Sequence, residues 1–150
     1  MAEVSIGVAA KLTGIKVPTI RYYEQIGLLS GLKRTDSNRR LYGAADLDRL
    51  RFIKHARELG FELDAIRTLL DLQVDPEKPC SAIDAIAREH LADVDQRIAS
   101  LQGLKRELRR MIESCSRGRI ADCRIIEVLQ DHNQCRDQRH LGARKERGIR

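Results

Sequence analysis

Apolar residues recur at helical spacing in four short blocks and one long one, and the polar stretches between them differ in kind. In SIGVAAKLTG, residues 5–14, Ile6, Ala9, Ala10 and Leu12 share one helix face. Ser5 stands where a cap would start that helix and Gly14 where one would stop it. VPTIRYYEQIGLL, residues 17–29, predicts a second helix. Pro18 suits its first turn, and Ile20, Tyr23 and Ile26 lie on one side ahead of Gly27. Tyr23 is therefore expected in the core, away from Arg21 and Tyr22. Two short helices joined by a tight turn make a helix-turn-helix. The next stretch, SGLKRTDSNRRLYG, has no helical period. Its turn residues Gly31, Asp36, Ser37 and Asn38 sit between the basic pairs Lys33, Arg34 and Arg39, Arg40, which predicts a small hairpin, or wing, with cationic flanks.

Two further helices are expected in AADLDRLRFIKHARELG, with Leu47, Leu50, Ile53 and Leu59 apolar, and in FELDAIRTLLDLQ, with Leu63, Ile66, Leu69 and Leu70. VDPEKP then breaks the chain. From Pro79 to about Cys115 there is no further proline, and Leu91, Val94, Ile98, Leu101, Leu108 and Ile112 follow the three-four alternation of a heptad seam. Lys105 occupies one seam position and Gly103 lies beside it. A long helix with one narrow apolar stripe cannot cover that stripe by itself, so pairing with a second copy is expected.

Charge adds a partner class. The chain has 33% charged residues, 3% aromatics and a net charge of +6, a balance suited to approaching a polyanion. Residues 1–75 carry 12 Lys/Arg against 10 Asp/Glu, residues 76–135 carry 10 against 10, and residues 136–150 carry 6 against 2. Most of the excess is thus a tail, RDQRHLGARKERGIR, whose composition predicts disorder. The first residues lack the basic flank and apolar run of a signal peptide, and no apolar run approaches the ~18 residues of a membrane span. The expectation is a cytoplasmic protein without a membrane partner, in which four cysteines are thiols, metal ligands or redox sensors rather than disulfides.

Three of those cysteines fall within residues 115–135, and Cys80 precedes them. If Cys80 starts the long helix and Cys115 ends it, about 35 rises of 1.5 Å place them about 52 Å apart. One chain cannot then bring them to a shared ion. In an antiparallel dimer, Cys80 of one subunit would approach the partner's Cys115 and the partner's Cys123, giving two equivalent sites. Seven residues, including Gly118, separate Cys115 from Cys123, enough to turn both sulfurs toward one ion. Three thiolates select Zn, Cd, Pb, Hg or Cu(I) over Mg or Ca. His132 and Cys135, two residues apart, are candidate accessory ligands or a solvated end. A disulfide between Cys115 and Cys123 would instead make a redox sensor. No nucleophile–base pairing or phosphate-binding glycine motif points to an enzyme.

The stretches IGVAAKLTGIKVPTIRYYEQIGLL, RRLYG and DLDRLRFIKHARELGFELDAIRTLLDL resemble the MerR family of bacterial transcriptional regulators, and with the long helix and late cysteines the likeness covers residues 5 to about 135. The resemblance implies a mainly α homodimer. Its parts would be a winged helix-turn-helix domain over residues 1–75, a dimerisation helix in an antiparallel coiled coil over 76–114, a metal-binding loop and short helix over 115–135, and the tail over 136–150. It implies binding to double-stranded promoter DNA whose recognition elements are spaced too far apart, with the effector making the dimer bend and untwist the DNA. RNA polymerase then reads a repressed promoter as an active one. Thr19, Arg21 and Tyr22 would face the major groove or its phosphates, and Arg40 and Tyr42 would touch the backbone from the wing beside the basic flank of Lys33. Arg39 stands where many relatives carry an aromatic. Among metal-sensing relatives, a cysteine at the start of the dimerisation helix marks sensors of divalent ions. Cys80 therefore points to Zn, Cd, Pb or Hg and to control of a metal export or resistance operon. The seven-residue loop also suits sensors of monovalent ions, which keeps a Cu(I)/Ag(I)-responsive regulator as the alternative.

Overall fold

The computed structural model of the protein describes residues 2–115 and 118–131. Helix α1, Ile6–Thr13, begins where the Ser5 hydroxyl accepts the Val8 N–H at 3.4 Å. It ends at Gly14, whose φ of 70° is the left-handed cap that a side chain resists. Buried Thr13 donates its hydroxyl to the Ala9 carbonyl at 2.8 Å and so closes the turn into α2, Val17–Gln25. Pro18 lies in the first turn of α2. Beyond its end the chain reverses through Gly27, with φ 78°, and drops Leu28 and Leu29 into the core.

A short antiparallel hairpin follows. Strand β1, Lys33–Arg34, pairs with β2, Arg40–Leu41, so that Lys33 opposes Leu41 and Arg34 opposes Arg40. Asn38, with φ 63°, turns the tip. At the base of the hairpin Val4 bridges Tyr42, exchanging backbone hydrogen bonds of 2.9 and 2.8 Å. The N-terminal residues thus extend the wing sheet by one bridge.

Helix α3, Ala44–Glu58, starts with Asp46 accepting the Gly43 N–H at 2.9 Å, and α4 spans Leu63–Leu72. Both helices brace α2. Arg49 of α3 donates to the Leu28 carbonyl and Arg67 of α4 to the Ile26 carbonyl, each at 2.5 Å, so cationic donors meet carbonyls just past the negative end of α2. Ala9, Ile20, Tyr23, Leu28, Leu47, Leu50, Ile53, Ile66 and Leu70 are buried together in one core. Leu59 departs from the expected apolar face. It follows the last residue of α3, where the chain turns through Gly60 at φ 88°, and its side chain is exposed.

Helix α5, Ser81–Glu113, runs for 33 residues, about 50 Å. Of the expected seam, Leu91, Ile98, Leu101, Leu108 and Ile112 are exposed and Val94 is half-buried. The buried positions of α5 form a different row, Gly103, Glu107 and Met111, spaced by one helical turn. Glu107 accepts from Arg110 at 3.2 Å. Helix α6, Arg124–Gln130, packs Val128 and Ile125 against Met111. The chain forms two compact units, the first ending at Ile83 and the second beginning at Asp84, where the sequence placed a boundary after residue 75. His132, Cys135 and the tail over residues 136–150 lie outside the described residues. Among the described residues no helix is long and apolar enough to cross a membrane.

Candidate nucleic-acid interface and metal centre

Helical period sorts α2 into two sides. Ile20 and Tyr23 are buried, whereas Lys16 just ahead of the helix, and Pro18, Arg21, Tyr22 and Gln25 within it, are exposed and Thr19 is half-buried. The buried Tyr23 ring backs that of Tyr22, with centroids 6.3 Å apart. Burial raises the Tyr23 hydroxyl pKa above the ordinary phenol value and keeps it neutral. Arg21 and Tyr22 therefore stand outward as expected. Gln25 was not anticipated, although its offsets of four and three residues from Arg21 and Tyr22 put it on the same face. An outward amide there has the donor and acceptor needed to read an adenine edge.

The wing is less free than its sequence implies. Arg39 is exposed near the tip. Lys33 is paired with Glu3 at 2.8 Å, and that hydrogen bond raises its ammonium pKa above the ordinary lysine value. Two of the residues expected to touch the DNA backbone are engaged within the fold. Tyr42 is 0% exposed, because its ring packs in the core where the Val4 bridge pulls the strand inward. The Arg40 guanidinium is engaged by Glu24 of α2, whose hydrogen bond and charge raise its pKa further. Tyr42 is thus held in the core, and Arg40 meets α2 through its Nε while its side chain stays partly exposed.

A cleft of about 380 Å³ opens beside α2, lined by Gly14, Lys16, Thr19, Lys54, Arg57 and neighbours. Lys54 lies directly over Gly14, where a Cβ would come within 2.7 Å of its ammonium nitrogen. Lys54 is 3.8 Å from Glu58, and Arg57 donates to the Phe61 carbonyl at 2.9 Å. These α3 cations border the basic face; their spacing of three in an amphipathic helix was the available signal.

At the other end of the molecule's sequence, Cys115 follows α5 and Cys123 occupies the cap position of α6. Cys123 has its thiol pKa lowered from the ordinary value, first by the Ile126 backbone N–H, then with help from the Ile125 N–H and the Cys115 thiol, against some desolvation. The two sulfurs are thus neighbours, and the first turn of α6 stabilises a thiolate. Asp122 is taken up by Arg119, at 3.2 Å. Cys80 is exposed immediately ahead of α5. Among the described residues of one chain, no three Cys, His, Asp or Glu side chains come together as a metal cluster. A thiol beside a favoured thiolate suits a soft or borderline ion.

The lowered Cys123 pKa has a direct readout. Its alkylation rate, followed by peptide mass spectrometry across pH, should reach half-maximum below the ordinary thiol range, and Cys115→Ser should move that midpoint upward. An unmoved midpoint in the variant would remove the Cys115 contribution.

A family model described as MerR HTH family regulatory protein matches residues 4–73, and one described as MerR, DNA binding matches residues 47–111. The HTH-type transcriptional regulator HmrR of Sinorhizobium medicae is 43% identical over 125 residues, covering 83% of this chain and 85% of that protein. The HTH-type transcriptional regulator ZntR of Escherichia coli K12 is 41% identical over 128 residues, covering 83% and 91%. The transcription regulator PbrR691 from Ralstonia metallidurans CH34, solved in complex with lead(II), superposes with a TM-score of 0.75 at 36% identity, covering 84% of this chain and 98% of that one.

Proposed function

Because the chain belongs to the MerR family of helix-turn-helix transcription regulators, we propose that it is a metal-responsive regulator whose effector is a divalent soft or borderline ion: Zn, Cd, Pb or Hg. It is a regulator rather than an enzyme, as its relatives are. The observation that carries the proposal is the pairing of Cys115 with Cys123, whose thiol pKa is lowered at the start of α6. PbrR691, 36% identical and solved in complex with lead(II), supports a thiophilic effector.

In this reading the protein is a homodimer on double-stranded promoter DNA. Arg21, Tyr22 and Thr19 approach the groove and its phosphates, and Arg39 and Lys33 flank them from the wing. Cys115 and Cys123 of one subunit take the ion together with Cys80 of the partner subunit, and His132 and Cys135 are accessory candidates. When bound, the ion supplies a multivalent tie between thiolates. The chain's own part is to ease deprotonation of the Cys123 sulfur and to join Cys115 to the end of α5, so that the thiol pair reports on the dimer. The regulated promoter would serve metal export or resistance, repressed without metal and opened to RNA polymerase by DNA distortion. The seven-residue spacing from Cys115 to Cys123 favours a second reading, a Cu(I) or Ag(I) effector held by those two thiols alone.

A promoter-reporter assay across Zn, Cd, Pb, Hg, Co, Cu and Ag tests this. Divalent ions should induce the parent protein, and Cys80→Ser, Cys115→Ser and Cys123→Ser should each abolish the response. Induction that survives in all three variants would sink the metal reading. Retention in Cys80→Ser alone with copper would select the monovalent one. Induction by peroxide without metal would make the Cys115 and Cys123 pair a redox sensor.

A further inference from the structure

One carboxylate in the DNA-binding unit faces two arginines on two different strands. Glu24 lies on α2, and its side chain is only 19% exposed. Its Oε1 is 3.7 Å from Arg34 Nη2 of β1, and its Oε2 contacts Arg40 Nε of β2. Both Glu24 Oε2 and Arg40 Nε are sealed from solvent and have no other hydrogen-bond partner. Arg34 and Arg40 are register partners, so a single carboxylate spans the hairpin. Arg34 goes on to donate from Nη1 to the Asn38 carbonyl at 3.2 Å, which ties the tip beside Arg39.

We propose that Glu24 is a positioning residue: it locks the wing to the recognition helix and so fixes where Arg39 stands relative to Arg21 and Tyr22. The physical need is plain. Two strands of two residues each are marginal as an isolated hairpin. The Val4 bridge anchors the base of the wing and leaves its middle and tip to other contacts. Glu24 supplies the middle anchor and, through Arg34, the tip. It also neutralises wing cations that would otherwise bind any phosphate. Glu24 therefore trades non-specific attraction for fixed geometry, which is what separates a sequence-reading surface from a merely basic one.

The inference rests on the DNA-binding reading, and the parent protein tests that reading first: it must select a duplex from a random-sequence library and prefer it to a scrambled duplex of equal length. Failure at that step counts against the proposed function and not against Glu24. On the selected duplex, Glu24→Gln should lower affinity roughly tenfold. Affinity for the scrambled duplex should hold or rise, and the slope of log affinity against log salt should steepen by about 1 as a released arginine finds a phosphate. Glu24→Asp, which keeps the charge, should recover most of the preference. An unchanged ratio of selected to scrambled affinity, or an unchanged salt slope, overturns the proposal. If Glu24→Gln does not fold, Arg34→Gln at a partly exposed position decides it: a fall in the same ratio supports the clamp and an unchanged ratio overturns it.

Discussion

The double substitution Ile98→Glu, Leu101→Glu should leave a monomer and weaken binding to promoter DNA by roughly 10²–10⁴-fold. Both side chains are exposed on α5, in line with Leu91, Leu108 and Ile112, whose exposures lie between 47 and 65%. A row of large apolar side chains open to water along about 32 Å of helix is costly for a lone chain and stabilising for a pair. Pairing two copies would bury four carboxylates in the double variant, and desolvating an unpaired charge costs several kcal/mol per group. That exceeds what the remaining seam contacts return. Binding two half-sites through one dimer is worth roughly 10²–10⁴-fold over a single module, so promoter affinity should fall by a factor in that range. Light scattering after size exclusion reads the mass, and a gel shift reads the affinity. A variant that remains a dimer would refute the seam. Because neither residue belongs to the core of the DNA-binding unit, its melting transition should be unchanged.

The second large effect separates packing from contact at Tyr42. Tyr42→Ala should cost about 3–5 kcal/mol, the usual range for deleting a buried aromatic ring. Against a total stability of about 5–15 kcal/mol, that is enough to leave the DNA-binding unit partly unfolded. Tyr42→Phe should instead change stability by less than about 1 kcal/mol and leave DNA affinity intact. The reason is visible in the side chain: the ring is fully buried, and its hydroxyl has no hydrogen-bond partner among the described residues. Burial, reinforced by the charge of Glu24, raises the hydroxyl pKa and holds it neutral. Denaturant titration and a gel shift on both variants check the contrast. A Tyr42→Phe protein with native stability and much weaker DNA binding would restore the hydroxyl as a backbone contact.

Local rules carried much of the fold. Ser5 and Gly14 capped α1, Pro18 entered the first turn of α2, and Asn38 turned the hairpin, because each residue's own conformational preference coincided with its neighbours' needs. The division of Tyr22 from Tyr23 also followed from helical period alone. What the sequence could not show were contacts made between elements. Arg40 reads as a free wing cation until Glu24, sixteen residues earlier, is folded against it. Tyr42 reads as a wing tyrosine until the Val4 bridge sets which way its strand faces, since a strand's side chains alternate and one step decides between core and solvent. The same holds at the thiols. Spacing pairs Cys115 with Cys123, but only the start of α6 beside Cys123 shows which sulfur is favoured as the thiolate. The row of Gly103, Glu107 and Met111 was hidden because a glycine and a glutamate do not announce a buried face.

The bridge between Val4 and Tyr42, with Glu3 held by Lys33, makes the first residues of the chain part of the wing. Anyone building a whole-cell sensor or a purification handle from this protein inherits that arrangement. A fluorescent fusion or affinity tag spliced directly ahead of Glu3 would be tethered beside the surface meant for DNA, competing with it sterically and, if rich in histidine, competing with the thiols for metal.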